Sequence, residues 1–114
     1  MNFNDYQKQA VTTDLSSGKG SEVLSVAFMD KVLGLLGESG EIAEKFKKIL
    51  RDKDGKLTEE DRKELTKELG DVLWYIALLG HYLDVPFDDI ATKNISKLKD
   101  RHNRGVLGGS GDNR

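Results

Sequence analysis

The stretch "LGLLGESGEIAEKFKK", residues 33–48, decides how the chain is read. Its Leu, Ala, Glu and Lys content is that of a helix. Yet Gly34, Gly37 and Gly40 recur every third position inside it. Each weakens a helix interior by about 1 kcal/mol relative to Ala. Glu38 and Glu41 stand among these glycines at i, i+3, one face of one helix, in an otherwise apolar run. A helix that keeps such glycines leaves room for another backbone or a bulky ligand to approach closely. Acids in that setting need a partner other than an oily core.

Working outward, the same 3.6-residue periodicity continues on both sides. The helix starts near Ser21 or Ser25 and runs to about Arg51, where "RDKDGK" with Gly55 makes a charged stop. "NDYQKQAVTT" before it reads as a short first helix with Tyr6, Ala10 and Val11 turned inward, followed by a turn-rich linker from Asp14 to Gly20. Thr58 opens a third helix with an acid, Asp61, three residues on, close to a capping box. That helix reaches about Leu83, where "DVP" breaks it, and Pro86 suits the first turn of a fourth. The segment 104–114, "RGVLGGSGDNR", has four glycines and no periodicity. Strand alternation is not convincing anywhere. The expectation is an all-α domain spanning residues 1–114, a bundle of about four helices with a Gly-rich C-terminal tail.

Composition narrows the function. The net charge is −2, with 18 basic and 20 acidic residues, so nothing argues for sequence-independent nucleic-acid binding. No cysteine is present, which removes disulfides, thiolate metal sites and a cysteine nucleophile. No run approaches the ~20 apolar residues of a membrane span, and "MNFNDYQKQ" lacks the pattern of a signal peptide. The expectation is a cytoplasmic protein with no membrane partner. The two histidines, His81 and His102, have no ligand-spaced companions.

A second acidic pair, Glu68 and Asp71, lies in "KELGDVLWYIALL", residues 67–79. Twenty acids in 114 residues make i, i+3 pairs common by chance, so context must separate them. Asp61 and Glu64 lie among charges and belong to a solvated face. Glu38/Glu41 and Glu68/Asp71 lie in apolar, glycine-containing helix. Two readings fit them. In one, the acids are structural and pair with lysines such as Lys45 and Lys48, one and two turns along, or Lys67. In the other, four carboxylates on two antiparallel helices form an oxygen-rich cage for a hard divalent cation. Phosphate is the natural ligand of such a cation, and Asn94, Lys97 and Arg101 form an i, i+3, i+7 stripe on helix four that suits it. "VLWYIALLG" offers more apolar circumference than one small bundle covers, which points to an oligomer.

"GLLGESGEIAEKFKK", "KELGDVLWYIALL" and "NISKLKDRHNRGVLGGSGDNR" together resemble the MazG-like nucleoside triphosphate pyrophosphohydrolases of the all-α NTP pyrophosphatase superfamily. The family's ExxE and ExxD motifs match Glu38–Glu41 and Glu68–Asp71, with 26 residues between Glu41 and Glu68. The resemblance implies Mg²⁺ (or Mn²⁺) held by Glu38, Glu41, Glu68 and Asp71. It implies hydrolysis of a nucleoside triphosphate to monophosphate and pyrophosphate, in nucleotide-pool housekeeping, with Glu41 or Glu38 acting on the attacking water. Lys48, Asn94, Lys97 and Arg101 would contact the substrate, in a homodimer or homotetramer. The acids do not read the base, so dUTP, dCTP or phosphoribosyl-ATP stay open as substrates. A non-catalytic helical oligomerisation module, with acids and lysines merely paired, is the rival of another class.

Overall fold

The computed structural model describes residues 1–16 and 22–114. Those residues form four helices: α1 (Phe3–Thr12), α2 (Val26–Asp52), α3 (Glu59–Tyr82) and α4 (Phe87–Asn103). Most of the linker read from the sequence, residues 17–20, lies outside the described residues, as does Ser21.

Local chemistry sets the helix ends. The side chains of Asn2, Ser25 and Thr58 accept hydrogen bonds from the amides of Asp5, Phe28 and Asp61, each satisfying one orphan donor of a first turn. At α3 the box is complete, because Asp61 accepts in return from the Thr58 amide at 2.9 Å. Lys53 joins it at 2.6 Å. Its hydrogen bond, with that of the Thr58 amide, lowers the Asp61 carboxyl to about 2. Asp54 and Gly55 take positive φ, 53° and 72°, and turn the chain from α2 into α3. Pro86 stands one position before the expected first turn, as the N-cap of α4.

α2 and α3 form an antiparallel hairpin, in register from Phe28 beside Tyr82, through Gly34 under Tyr75, to Lys53 at Asp61. α1 lies on α3. Ala10, Ala77, Leu78 and Phe87 make the main core, with Tyr6, Val11, Leu73, Trp74, Ile76 and Ile90 around it. Ala27, Phe28 and Tyr82 make a smaller one at the start of α2. Gln7 fastens three elements. Its Nε2 donates to the carbonyls of Ala77 and Val85, and its Oε1 accepts from the Phe87 amide, all within 3.1 Å.

Asp14, at the head of the turn-rich linker, is buried and paired with Lys31 at 3.1 Å, with side chains 1% and 4% exposed. Tyr82 Oη donates to the same carboxylate, as does the Ser16 amide. Burial pushes the Asp14 carboxyl up, but the bonds from Tyr82, Ser16 and Lys31 outweigh it and hold the pKa below the usual value. Tyr82 is pushed up to about 12, by burial and then by Asp14.

The outer face of α2 is bare. Val26, Met29, Leu33 and Leu36 share it and are exposed, Val26 at 89% and Leu36 at 66%. A Cβ at Gly37 or Gly40 on that face would meet nothing within 4 Å. The radius of gyration is 17.0 Å, against about 13 Å for a compact chain of this length. The uncovered apolar surface thus falls chiefly on α2, rather than on the α3 segment that the sequence singled out, whose side chains from Val72 to Leu79 are at least half-buried.

Candidate metal centre

Midway along the α2–α3 hairpin, one carboxylate oxygen from each of Glu38, Glu41 and Glu68 lies within 4.8 Å of the others. Helical spacing puts Glu38 and Glu41 on one side of α2, and the antiparallel register brings Glu68 opposite them. Asp71 stands outside this group but close by. Burial first, then the charges of Asp71, Glu41 and Glu68, pushes the Glu38 carboxyl above its usual pKa. Burial and Asp71 together also raise Tyr6. Glu38 and Glu68 are half-buried, whereas Glu41 and Asp71 are exposed. The acids therefore rim the hairpin instead of sinking into its core.

Among the described residues, Glu68 alone of the four has a cation within ion-pair reach, Lys45 at 3.3 Å. The lysine-paired reading holds for that one acid. Three carboxylates converging with one ammonium between them leave a net negative site of oxygen donors. That donor set suits Mg²⁺ or Mn²⁺ and no soft metal. The repulsion that raises Glu38 is what a cation there relieves.

The glycines divide into two kinds. Gly34 is filled from within the chain, since a Cβ there would lie 2.2 Å from Cε1 of Tyr75. Any larger residue must move that ring. Gly37 and Gly40 remain open and floor a polar cleft of about 360 Å³ with Glu41, Glu44, Lys45 and Lys48. Lys48, expected at the substrate, thus lies in the same cleft as Glu41.

The cations of α4 stand elsewhere. α4 packs on α1 and α3 and does not touch α2. Lys97 and Arg101 meet residue 112 of the tail: Lys97 Nζ is 3.0 Å from Asp112 Oδ1, and Arg101 Nη2 is 3.2 Å from the same oxygen. Arg101 Nη2 also donates to the Asp112 carbonyl. Asn94 is exposed. One chain therefore gathers Glu38, Glu41 and Glu68, and separately gathers Lys97 and Arg101 at Asp112, on a helix that does not touch α2.

Sequence reasoning missed Tyr75 as the filler of Gly34 and Asp112 as the partner of Arg101. The first had a signal, a glycine facing an aromatic across two antiparallel helices. The second had none, because the partners stand eleven positions apart, mostly across irregular chain. The carbonyls of Val106, Leu107, Gly108 and Gly111 all accept from the Arg114 guanidinium.

An all-α domain with a carboxylate cluster between two antiparallel helices defines a class, and the comparison with protein families names it. The MazG nucleotide pyrophosphohydrolase domain matches residues 29–106, well over half of the chain and a range that contains the acids of α2 and α3. The chain belongs to this family. It is also 47% identical to the "Gene 37 protein" of Mycobacterium phage L5, over 114 residues and the full length of both chains. No solved structure matches closely enough to count as a relative.

Proposed function

We propose that this protein is a divalent-metal-dependent nucleoside triphosphate pyrophosphohydrolase, releasing nucleoside monophosphate and pyrophosphate in the cytoplasm. The observation that carries the reading is the unrelieved carboxylate cluster of Glu38, Glu41 and Glu68 inside a MazG domain. Glu38, Glu41, Glu68 and Asp71 hold Mg²⁺ or Mn²⁺. The bound ion supplies charge neutralisation of the triphosphate and polarisation at phosphorus. Glu41 or Glu38 orients the attacking water and takes its proton. The water oxygen bonds to the α-phosphorus, the α–β bridging bond breaks, and pyrophosphate leaves. Lys48, Asn94, Lys97 and Arg101 bind the phosphates and offset the charge on the leaving group.

A homodimer or homotetramer fits this reading. A second copy would cover Val26, Met29, Leu33 and Leu36, and the open glycines let two helices approach closely. Assembly would also give the α4 cations of one chain a route to the acids of another. Among the described residues no helix is long and apolar enough to cross a membrane, in keeping with a small-molecule substrate free in solution.

The Lys45–Glu68 pair favours one competing reading, a non-catalytic helical oligomerisation module. A panel of ribo- and deoxyribonucleoside triphosphates, with phosphoribosyl-ATP, separates the two. Pyrophosphate and monophosphate appearing together, with Mg²⁺ and not with chelator, support the enzyme and rank base and sugar preference. No release from any substrate sinks it.

A further inference from the structure

The tail is tied down by hydrogen bonds. Gly105, Gly109 and Gly111 take positive φ, and between them the chain folds back on itself. Arg114 closes this loop through its guanidinium bonds to four backbone carbonyls. Arg104 seals it by donating to the Arg114 carbonyl at 2.8 Å. Gly109 is packed on the Arg114 side chain, where an added Cβ would lie 3.4 Å from Cδ. None of these bonds uses the Asp112 side chain. The loop is thus closed by Arg114 and Arg104, and the Asp112 carboxylate is turned to Lys97 and Arg101 instead.

Asp112 sits in an unequal pair. Its side chain is 80% exposed, while that of Arg101 beneath it is 6% exposed. Arg101 Nε is buried and, among the described residues, has no partner. A buried guanidinium with an unused donor and a lysine beside it, met by one exposed carboxylate and by the Asp112 carbonyl on Arg101 Nη2, is an anion site with a weak occupant. The Lys97 side of the pair is exposed and contributes little, and only the exposed carboxylate need swing away, so a stronger anion can displace it. A phosphate carries more charge and three acceptor oxygens, and an arginine fork matches it well.

We propose that Asp112 is an internal competitor for the phosphate site of Lys97 and Arg101: the tail holds a carboxylate on these cations until a polyphosphate displaces it. The inference rests on the reading of Lys97 and Arg101 as phosphate contacts. It makes Asp112 a specificity-determining residue. A triphosphate bound also through the acid cluster outcompetes the carboxylate, whereas free pyrophosphate, lacking that second anchor, competes poorly and leaves. The Arg114 loop keeps Asp112 near at hand, so the cations are re-covered once product departs.

The test is calorimetric titration with sodium pyrophosphate, in chelator and at low ionic strength, of wild type, Asp112→Asn, Asp112→Ala and Arg101→Gln. Asp112 is exposed, so its loss leaves the helical core intact. Both Asp112 variants should bind pyrophosphate about threefold to fivefold more tightly than wild type, the scale of a partly exposed ion pair. Arg101→Gln should bind more weakly. If the Asp112 variants bind equally or more weakly while Arg101→Gln still loses affinity, Asp112 supports the cations rather than competing with phosphate. The proposal then fails and the phosphate-contact reading stands. If Arg101→Gln matches wild type, that reading fails and takes the proposal with it.

Discussion

Two charged clusters lie two turns apart on α2 and differ in completeness. Around Lys31, every charge has its counterpart: Asp14 at 3.1 Å, Asp30 at 3.0 Å, the Trp74 ring 5.7 Å away, and Tyr82 on the far side of Asp14. Around Glu38, like charges face one another, and one lysine stands among four acids. Asp14 and Lys31 of the first cluster are nearly sealed from water, with Asp30 at its exposed edge, and the second rims a cleft. A closed network stabilises the fold. An open one, with its repulsion unrelieved, is a site kept for something that comes from outside.

The comparison breaks most easily at the open cluster. Glu41→Gln or Asp71→Asn should lower turnover with Mg²⁺ at least about a thousandfold, roughly 4 kcal/mol of transition-state stabilisation. Circular dichroism and thermal unfolding should barely change, because both side chains are exposed. A variant that keeps near wild-type turnover would show that its carboxylate is structural after all.

At the closed cluster the effects reverse. Lys31→Ala leaves the Asp14 carboxylate buried and without its ammonium, which should destabilise the protein by about 3 kcal/mol in urea titration. The double replacement Asp14→Asn with Lys31→Met removes both charges and should recover much of that loss. Equal loss in the single and double variants would mean that packing, and not charge pairing, holds the linker to the hairpin.

The two clusters also predict opposite pH slopes. The Asp14 pKa is lowered, so its contribution is full above the unfolded value of about 3.9 and is lost as pH falls through the lower folded value. The Glu38 pKa is raised, so its contribution is full below about 4.3 and is lost as pH rises through the higher folded value. Glu38→Gln should therefore raise the metal-free melting temperature at pH 7 by about 2 °C, the scale of a few like-charge contacts of ~0.2–0.5 kcal/mol each. A fall in melting temperature would contradict the repulsion inferred at this site.

Much of this was legible in the sequence, and the reason differs by element. Helix ends at Ser25, Thr58 and Pro86 rest on local capping chemistry, which a short window of residues contains. The acid pairs were legible because helical spacing fixes their faces and the apolar context sets them apart from Asp61 and Glu64. The Asp14–Lys31 pair and the Gln7 clamp were not, since each joins segments distant along the chain through a single polar side chain. Neither produces a period. The bare face of α2 was misassigned to α3 for a related reason. Apolar content shows that surface must be buried, but only packing shows that α1 already covers α3 and leaves Val26, Leu33 and Leu36 exposed.

The central claim is that the cluster of Glu38, Glu41 and Glu68 is a cation site. Titration of the metal-free protein with Mn²⁺, followed by calorimetry, tests it directly. The account predicts saturable binding in wild type and at least about tenfold weaker binding in Glu41→Gln and in Glu68→Gln, or ~1.4 kcal/mol. Lys31→Ala, measured where it is still folded, should bind like wild type. Absence of saturable binding, or affinity unchanged when Glu41 and Glu68 lose their charges, would contradict it.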